Sequence, residues 1–548
     1  MAKPFEIALV MAGGTSGGAY TAGVLDFLVQ AMDAWEAEKL RRPQDNLSHE
    51  VRLRAMSGAS AGGMCAAIMA ASLGHEIAPA ADPERPPVGS ANRFYDAWVD
   101  RIDIAKLLEL RDVETHGKAL SVLDSTCLEE IAMAALDGAG VRTLAWVDEA
   151  LAVYLTVANL RGVPYGFDLL ADGTQARHGM SLHMDHVAFT LVLPGAAPIG
   201  GSLALHPGEK PGGTWPLLVQ AALASGAFPI GLRSRLLKRR VADYHARFGR
   251  PPDWRPSLDA DSEYALQCVD GGLMDNEPLE LARRHLSGGP GLRNERNGKD
   301  AHRAVLLVDP FPNESGYDPE WKPFDKLSEI ALAMFGALRN QARFKPEELE
   351  LAEDPKVFSR YLISPSRQND EGKPASPAMT AQLLGGFGAF LSRAFRRHDF
   401  LIGRRNCQAF LRWHFCLPEI NPLFAGRAVE VARRFHIRRR DGALETFRDA
   451  QSVERPMLPI VPLVGEAAIP VALPELPTRA AVDLAALARM AKRRLGAVGS
   501  SVIDDDLEPV ANGAARLGLR LAWNHYLLPN LIEKATEKVR TELDRLPR

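Results

Sequence analysis

The sequence predicts an α/β fold: a parallel-rich sheet flanked by helices, followed by a mostly helical C-terminal extension. Three observations carry that expectation. Two strand–glycine turn–helix units stand in tandem between Ile7 and Leu73, the grammar of a sheet with helices on its faces. Ile7-Ala8-Leu9-Val10-Met11 is an unbroken apolar run, which suits a strand buried on both faces of a parallel sheet. Beyond about Asp309 strand patterns become sparse and helical ones take over.

The elements follow in order. Gly13-Gly14-Thr15-Ser16-Gly17-Gly18 closes the first strand, and Ala19 to Ala37 then places Val24, Leu28, Ala31 and Trp35 at helical spacing. The second unit is Val51 to Met56, the turn Ser57-Gly58-Ala59-Ser60-Ala61-Gly62-Gly63, and a small, apolar, helix-compatible stretch from Met64 to Leu73. Later strands are expected at Leu151 to Ala158, His186 to Leu193, Ala265 to Val269 and Ala304 to Val308. Proline and glycine clusters mark boundaries at Pro79 to Gly89, Gly288 to Lys299 and Asp370 to Pro377. Helices are expected over Phe324 to Phe344, Ala378 to Phe415 and Arg479 to Leu495, with a proline-studded connector from Pro456 to Pro477. The working division is an α/β domain over residues 1–320 and a mostly helical region over 321–548.

Composition bounds the function. Forty-six percent apolar and 24% charged residues are ordinary globular values. A net charge of −3, from 65 basic and 68 acidic residues, carries no global signature of a nucleic-acid binder. The five cysteines (Cys65, Cys127, Cys268, Cys407, Cys416) include no C-x-x-C pair, against a zinc ribbon or a disulfide scaffold and in keeping with a reducing compartment. Glu6 interrupts the apolar stretch a signal peptide would need. The uncharged runs Val187 to Gly208 and Pro211 to Leu232 are broken by Pro194, Pro198, Pro207, Pro216 and Pro229, which argues against membrane helices. The expectation is a soluble, cytoplasmic protein.

Three stretches carry chemistry. Gly58-Ala59-Ser60-Ala61-Gly62 fits G-x-S-x-G, in which a serine on a tight strand-to-helix turn is forced outward and small neighbours permit the bend. The helix after Ser60 aims N–H groups and a positive dipole end at the site. Gly13, Gly14 and Thr15, at the end of the first strand, can supply backbone donors to an oxyanion at the same sheet edge. Their loop is not a nucleotide site: residues 13, 14, 17 and 18 hold no glycines two apart, and Gly18-Ala19-Tyr20 stands where a Walker motif needs lysine. The third stretch, Val269-Asp270-Gly271-Gly272 with Asn276-Glu277-Pro278 after it, delivers an aspartate to a glycine turn. A carboxylate partly desolvated beside a serine gains the basicity to accept its proton.

In this order the three stretches resemble the patatin-like phospholipase family: a glycine-rich oxyanion loop, a G-x-S-x-G elbow, then D-G-G. Ala224-Ser225-Gly226-Ala227-Phe228-Pro229 is similar to that family's A-S-x-A-x-P segment. The resemblance covers roughly residues 5 to 310. It implies a patatin-like sheet and a metal-independent, cofactor-free Ser–Asp dyad hydrolase of lipid or phospholipid acyl esters. Ser60 would be the nucleophile and Asp270 the base. The backbone of Gly13, Gly14 and Thr15 would form the oxyanion hole, with Gly18, Gly58, Gly62, Gly271 and Gly272 as motif glycines. Thr15 departs from the family's third glycine and Gly17 from its basic position. Arg396-Arg397-His398-Asp399-Phe400 through Gly403-Arg404-Arg405 is similar to the C-terminal part of long bacterial patatin-related proteins.

Other readings stay open on residues alone. A Ser-His-Asp α/β-hydrolase would take its histidine from His285, His302, His398 or His414. A catalytically impaired scaffold would keep the fold and lose the chemistry at Thr15 and Gly17. Arg233, Arg235, Lys238, Arg239 and Arg240 form either a patch for peripheral contact with an anionic membrane surface, or a solvated helical face or set of internal ion pairs. Leu383 to Phe395 is either plain core or a cap on an acyl-chain tunnel. Cys65 and Cys268 are expected to pack as small buried residues. No metal-ligand spacing stands out.

Overall fold

A computed structural model describes residues 3–547, apart from 46–48, 137–139, 172–173, 210–212, 246, 248–251, 255–256, 290, 312–320, scattered positions of 322–355, 369–374, 427–428, 440, 449–452 and 510–512, and the side chains of 167–177. The helix expected over Phe324 to Phe344 and the boundary at Asp370 to Pro377 fall largely outside the described residues.

The centre is a nine-stranded sheet built from β1 (Phe5–Met11), β2 (Val51–Gly58), β3 (Val147–Ala171), β4 (Thr174–Val192), β5 (Leu203–Leu205), β6 (Arg235–Arg240), β7 (Glu263–Asp270), β8 (Arg303–Val308) and β9 (Arg360–Ile363). Its main path is β5-β4-β3-β2-β1-β8-β9. From β3 to β9 along that path every pairing is parallel. β4 runs antiparallel to β3, β7 also pairs antiparallel with β3, and β6 pairs with β7. The four later strands expected from sequence fall in β3, β4, β7 and β8, with only Leu193 lying beyond the end of β4. Two of them are far longer than expected, 25 and 19 residues, and continue past the sheet edge as a two-stranded ribbon.

β1 shows why its sequence is apolar throughout. Phe5, Ile7, Leu9 and Met11 join one core, while Ala8 and Val10 join another on the opposite face. Helices α1 (Gly18–Arg41) and α2 (Ala61–Ser72) leave the ends of β1 and β2. They are followed by α3 (Thr126–Ala135), α4 (Trp215–Ser225) and α5 (Leu279–Ser287). α5 covers the second face through Ala282 and Leu286, opposite the small residues Ala8, Ala55 and Ala152. The remaining long helices are α6 (Arg393–Trp413), α7 (Leu484–Ser501), α8 (Gly513–Ala522) and α9 (Leu528–Leu543).

The division near residue 320 is a change of composition and not a break in the core. β9 lies beyond it, yet pairs with β8 in the main sheet. α6 packs along α1 with backbone against backbone: a side chain at Gly23 would overlap the Phe400 carbonyl, and one at Gly403 would overlap that of Tyr20. One buried cluster therefore runs from Phe5 to Leu546. The helical region also holds a three-stranded antiparallel sheet that its sequence pattern did not announce: β10 (Cys416–Pro418), β11 (Thr446–Arg448) and β12 (Glu454–Pro459). The expected helix from Ala378 is regular only from Arg393. Before it the chain makes tight 3-10 turns, with Leu384, Gly385 and Gly386 at positive φ.

Candidate active site

Strand register brings the chemistry-bearing stretches together. Met11 at the end of β1 pairs with Gly58 at the end of β2, so the glycine loop and Ser60 leave adjacent strands side by side. Gly58 pairs with Leu155 of β3, and Val157, two residues further along β3, pairs with Asp270. Asp270 thus arrives on an antiparallel strand descending from the ribbon, where the sequence suggested a parallel one. The result is a hydrogen bond from Ser60 Oγ to Asp270 Oδ2 of 2.6 Å across 210 residues of chain.

Ser60 sits at φ 53°, ψ −127°, a conformation L-residues rarely adopt. Three features hold it there. Its N–H donates to Ser225 Oγ at 3.0 Å, and Ser225 is fully buried at the end of α4. The Ala59 N–H donates to the Met11 carbonyl at 3.1 Å. A side chain at Gly62 would overlap that same carbonyl, so α2 can begin against β1 only with glycine there. Ser225 lies in the Ala224–Pro229 segment noted in the sequence. Its link to the Ser60 backbone has no local signal, because it is made by a helix 165 residues away.

Asp270 is 5% exposed. Its Oδ1 accepts the Gly272 N–H at 2.7 Å and its own N–H donates to the Ala227 carbonyl at 2.9 Å, which leaves Oδ2 facing the serine. Gly271 is pressed on Thr156, Gly272 on Asn276, Gly18 on Trp98 and Gly58 on the Gly62 carbonyl, so a side chain at any of these motif glycines would collide.

The glycine loop divides its amides. Gly13 donates its N–H to the Asn276 carbonyl at 3.1 Å, which removes it from the expected donor set. Gly14 and Thr15 make no such bond among the described residues and start a short 3-10 turn. Thr15 adopts φ 43°, in the left-handed region that favours glycine. The next residue secures the turn from outside: Ser16 Oγ donates to the Gly386 carbonyl at 2.6 Å and accepts the Ala389 N–H at 3.2 Å. The segment 380–391 therefore lies over the loop. Within the stretch Leu383 to Phe395, Leu383, Phe390 and Phe395 are core, while half-buried Phe387 stacks edge-on against Phe228 at 5.6 Å.

Behind the loop is a buried charge cluster that the sequence did not reveal. Asn276 Nδ2 donates to Glu277 Oε1 at 2.6 Å, and Arg343 joins Glu277 (3.0 Å) to Asp309 (3.0 Å). Burial pushes the Glu277 carboxyl up to about 7 despite the Arg343 guanidinium, and burial likewise raises Asp309. Asn276 ties this cluster to Gly13 and Gly272.

The other sequence candidates fall elsewhere. Every charge of the basic run meets a carboxylate: Arg233 and Arg235 on Glu129, Lys238 on Glu263, Arg239 and Arg240 on Asp243. Arg235 and Arg239 are buried in those pairs, whereas Arg233 stays half-buried and Lys238 and Arg240 exposed beside theirs. No described histidine bonds the Ser60 hydroxyl: His285 meets Tyr154 at 3.3 Å, His302 meets Glu295 at 3.5 Å, and His398 meets Asp399 at 2.8 Å. The Arg396–Arg405 stretch is an anchoring surface of α6, with Arg396 on the Val99 and Phe390 carbonyls and Asp399 on the Thr380 and Ala381 amides. All five cysteines are free and buried. Among the described residues no group of His, Cys, Asp and Glu is arranged to hold a metal ion, and no helix is long and apolar enough to cross a membrane.

No protein-family model matches the chain. Among solved structures, VipD from Legionella pneumophila aligns over 100% of this chain and 89% of its own, at 12% identity and a TM-score of 0.22, an overlap too slight to bear on fold or chemistry. The sequence comparison is much closer. The uncharacterized protein y4iI of Sinorhizobium fredii is 35% identical over 574 residues, spanning 94% of this chain and 78% of that protein. The chain belongs to the same family as y4iI.

Proposed function

We propose that the protein is a serine-dependent acyl hydrolase that cleaves carboxylic esters of lipids. The observation that carries this reading is the 2.6 Å hydrogen bond from Ser60 to Asp270 at a backbone elbow of φ 53°. Asp270 Oδ2, held toward the serine by the Gly272 amide on Oδ1, takes the Oγ proton as Oγ attacks the ester carbonyl. The amides of Gly14 and Thr15 and the N-terminus of α2 face the charge that develops on the carbonyl oxygen. Asp270 passes that proton to the departing alkoxide oxygen as the tetrahedral intermediate collapses, which expels the alcohol and leaves an acyl-Ser60; as a carboxylate again, Asp270 takes a proton from the attacking water and returns it to Ser60 Oγ as the acid is released. The lipid character of the substrate rests on the resemblance to patatin-like phospholipases, and peripheral docking on a lipid surface would follow from it.

The test is hydrolysis of a lipid panel alongside labelling by a fluorophosphonate probe, for the parent, Ser60→Ala and Asp270→Asn. Labelling and turnover vanish in Ser60→Ala, and turnover falls by about 10²–10⁴ in a folded Asp270→Asn. Near-parental hydrolysis by either variant overturns the assignment.

A further inference from the structure

The glycine loop after β1 is supported from two sides, and both supports end on one guanidinium. On one side Gly13 donates its N–H to the Asn276 carbonyl at 3.1 Å, and the Asn276 side chain is fixed in turn by its 2.6 Å bond to Glu277 Oε1. On the other side Gly14 and Gly17 press on Pro310, where a side chain on either glycine would overlap the ring. Pro310 stands between Asp309, the residue after β8, and Phe311, whose N–H donates to Asp309 Oδ1 at 2.9 Å. Arg343 joins the two supports. Its Nε donates to Glu277 Oε1 at 3.0 Å, and its Nη2 donates to Asp309 Oδ2 at 3.0 Å and to the Phe311 carbonyl at 2.8 Å. The Arg343 side chain is 10% exposed and its two carboxylates 2% and 1%, so these bonds are made away from water, where each is stronger.

We propose that Arg343 is a positioning residue for the oxyanion hole: its planar fork fixes the two supports of the loop at one separation and so aims the Gly14 and Thr15 amides at an ester carbonyl on Ser60. The inference rests on the hydrolase reading and adds to it a residue from beyond the stretch, ending near residue 310, that resembles patatin-like phospholipases. Arg343 contributes no atom to the chemistry and acts through Asn276 and Pro310. A guanidinium presents its donors in a fixed plane, whereas an ammonium is a point charge on a flexible stem and cannot hold two carboxylates at a set separation. Preorganised amides act on the charge that develops in the transition state, so a loosened loop shows in kcat and not in ground-state binding.

The experiment sets the parent beside Arg343→Lys, which keeps a cation and loses the fork, and reads p-nitrophenyl acetate hydrolysis together with amide hydrogen exchange. In the variant kcat falls by about 10²-fold, the scale of one misdirected oxyanion donor, while KM stays within about twofold. The amides of Gly13 and Gly17, both hydrogen-bonded within the loop and its support, exchange about tenfold faster, while those of β1 and β8 keep their parental rates. If Arg343→Lys fails to fold, Arg343→Gln makes the same comparison. A kcat within about twofold of the parent, a loss confined to KM, unchanged loop exchange, or exchange that quickens equally in loop and strands overturns the proposal. The two readings fail separately. Hydrolysis by the parent with both readouts unchanged in the variant removes the positioning role and leaves the hydrolase. In a parent that hydrolyses nothing the hydrolase reading falls, and the exchange of Gly13 and Gly17 alone decides whether Arg343 fixes the loop.

Discussion

Replacing Ser60 by glycine and by alanine measures the strain at the elbow. Both variants lose the hydroxyl and its hydrogen bond to Asp270, so that loss cancels between them. What differs is the backbone. At φ 53°, ψ −127° an alanine bears a cost of about 1–3 kcal/mol that glycine escapes. Glycine in turn loses about 0.4–1 kcal/mol through the greater freedom of its unfolded chain. The balance favours Ser60→Gly over Ser60→Ala by about 1–2 kcal/mol. With an unfolding entropy of about 2.1 cal/mol/K per residue, a chain of 548 residues that melts as one unit shifts by about 1–2 °C, which paired scanning calorimetry resolves. The parent stands close to the glycine variant, because its charge-assisted bond to Asp270, worth about 1.5–3 kcal/mol, offsets its strain. A Ser60→Ala protein as stable as Ser60→Gly would show that the turn is unstrained, and the account of an elbow held by Ser225 and Gly62 would fall with it.

Two further predictions come from neighbours of the dyad. Ser225→Ala leaves the Ser60 N–H without its acceptor, so stability falls by about 1–3 kcal/mol and fluorophosphonate labelling slows; unchanged values for both would show that the 3.0 Å bond does not position the serine. Glu277 titrates at about 7 in the fold against an ordinary 4.5, so the folded state holds a proton that the unfolded state has already released between those values. Its contribution is fully favourable below about 4.5 and lost as pH rises through about 7, a change of about 3 kcal/mol. Glu277→Gln removes that change, so its stability relative to the parent rises over that window and is level above it; a difference independent of pH refutes the assignment.

Much of the molecule was legible from local pattern. Apolar runs ending in glycine marked β1, β2 and their turns, because burial on two faces and a sharp bend each leave a signature within a few residues. Ser60 and Asp270 were singled out for the same reason. Other features left no such trace. The basic run of residues 233–240 names no partners in the sequence, yet Glu129, Glu263 and Asp243 stand beside it in the fold. The segment 380–391 reads as helix, yet it turns at Leu384 and Gly385 to meet Ser16.

What the sequence by itself determined is therefore which residues occupy the turns and which faces are apolar, since backbone sterics and burial act over a few neighbours. Only the tertiary structure decided the rest. It set the register that carries Met11 to Gly58, Gly58 to Leu155 and Val157 to Asp270, and it set the antiparallel entry of β7. It also spent the Gly13 amide on Asn276, delivered Ser225 to the Ser60 backbone, and joined Glu277 to Asp309 through Arg343. Each of those links residues tens to hundreds of positions apart. Hydrogen-bonding partners across such gaps are selected by how sheets and helices pack, and no local pattern encodes them.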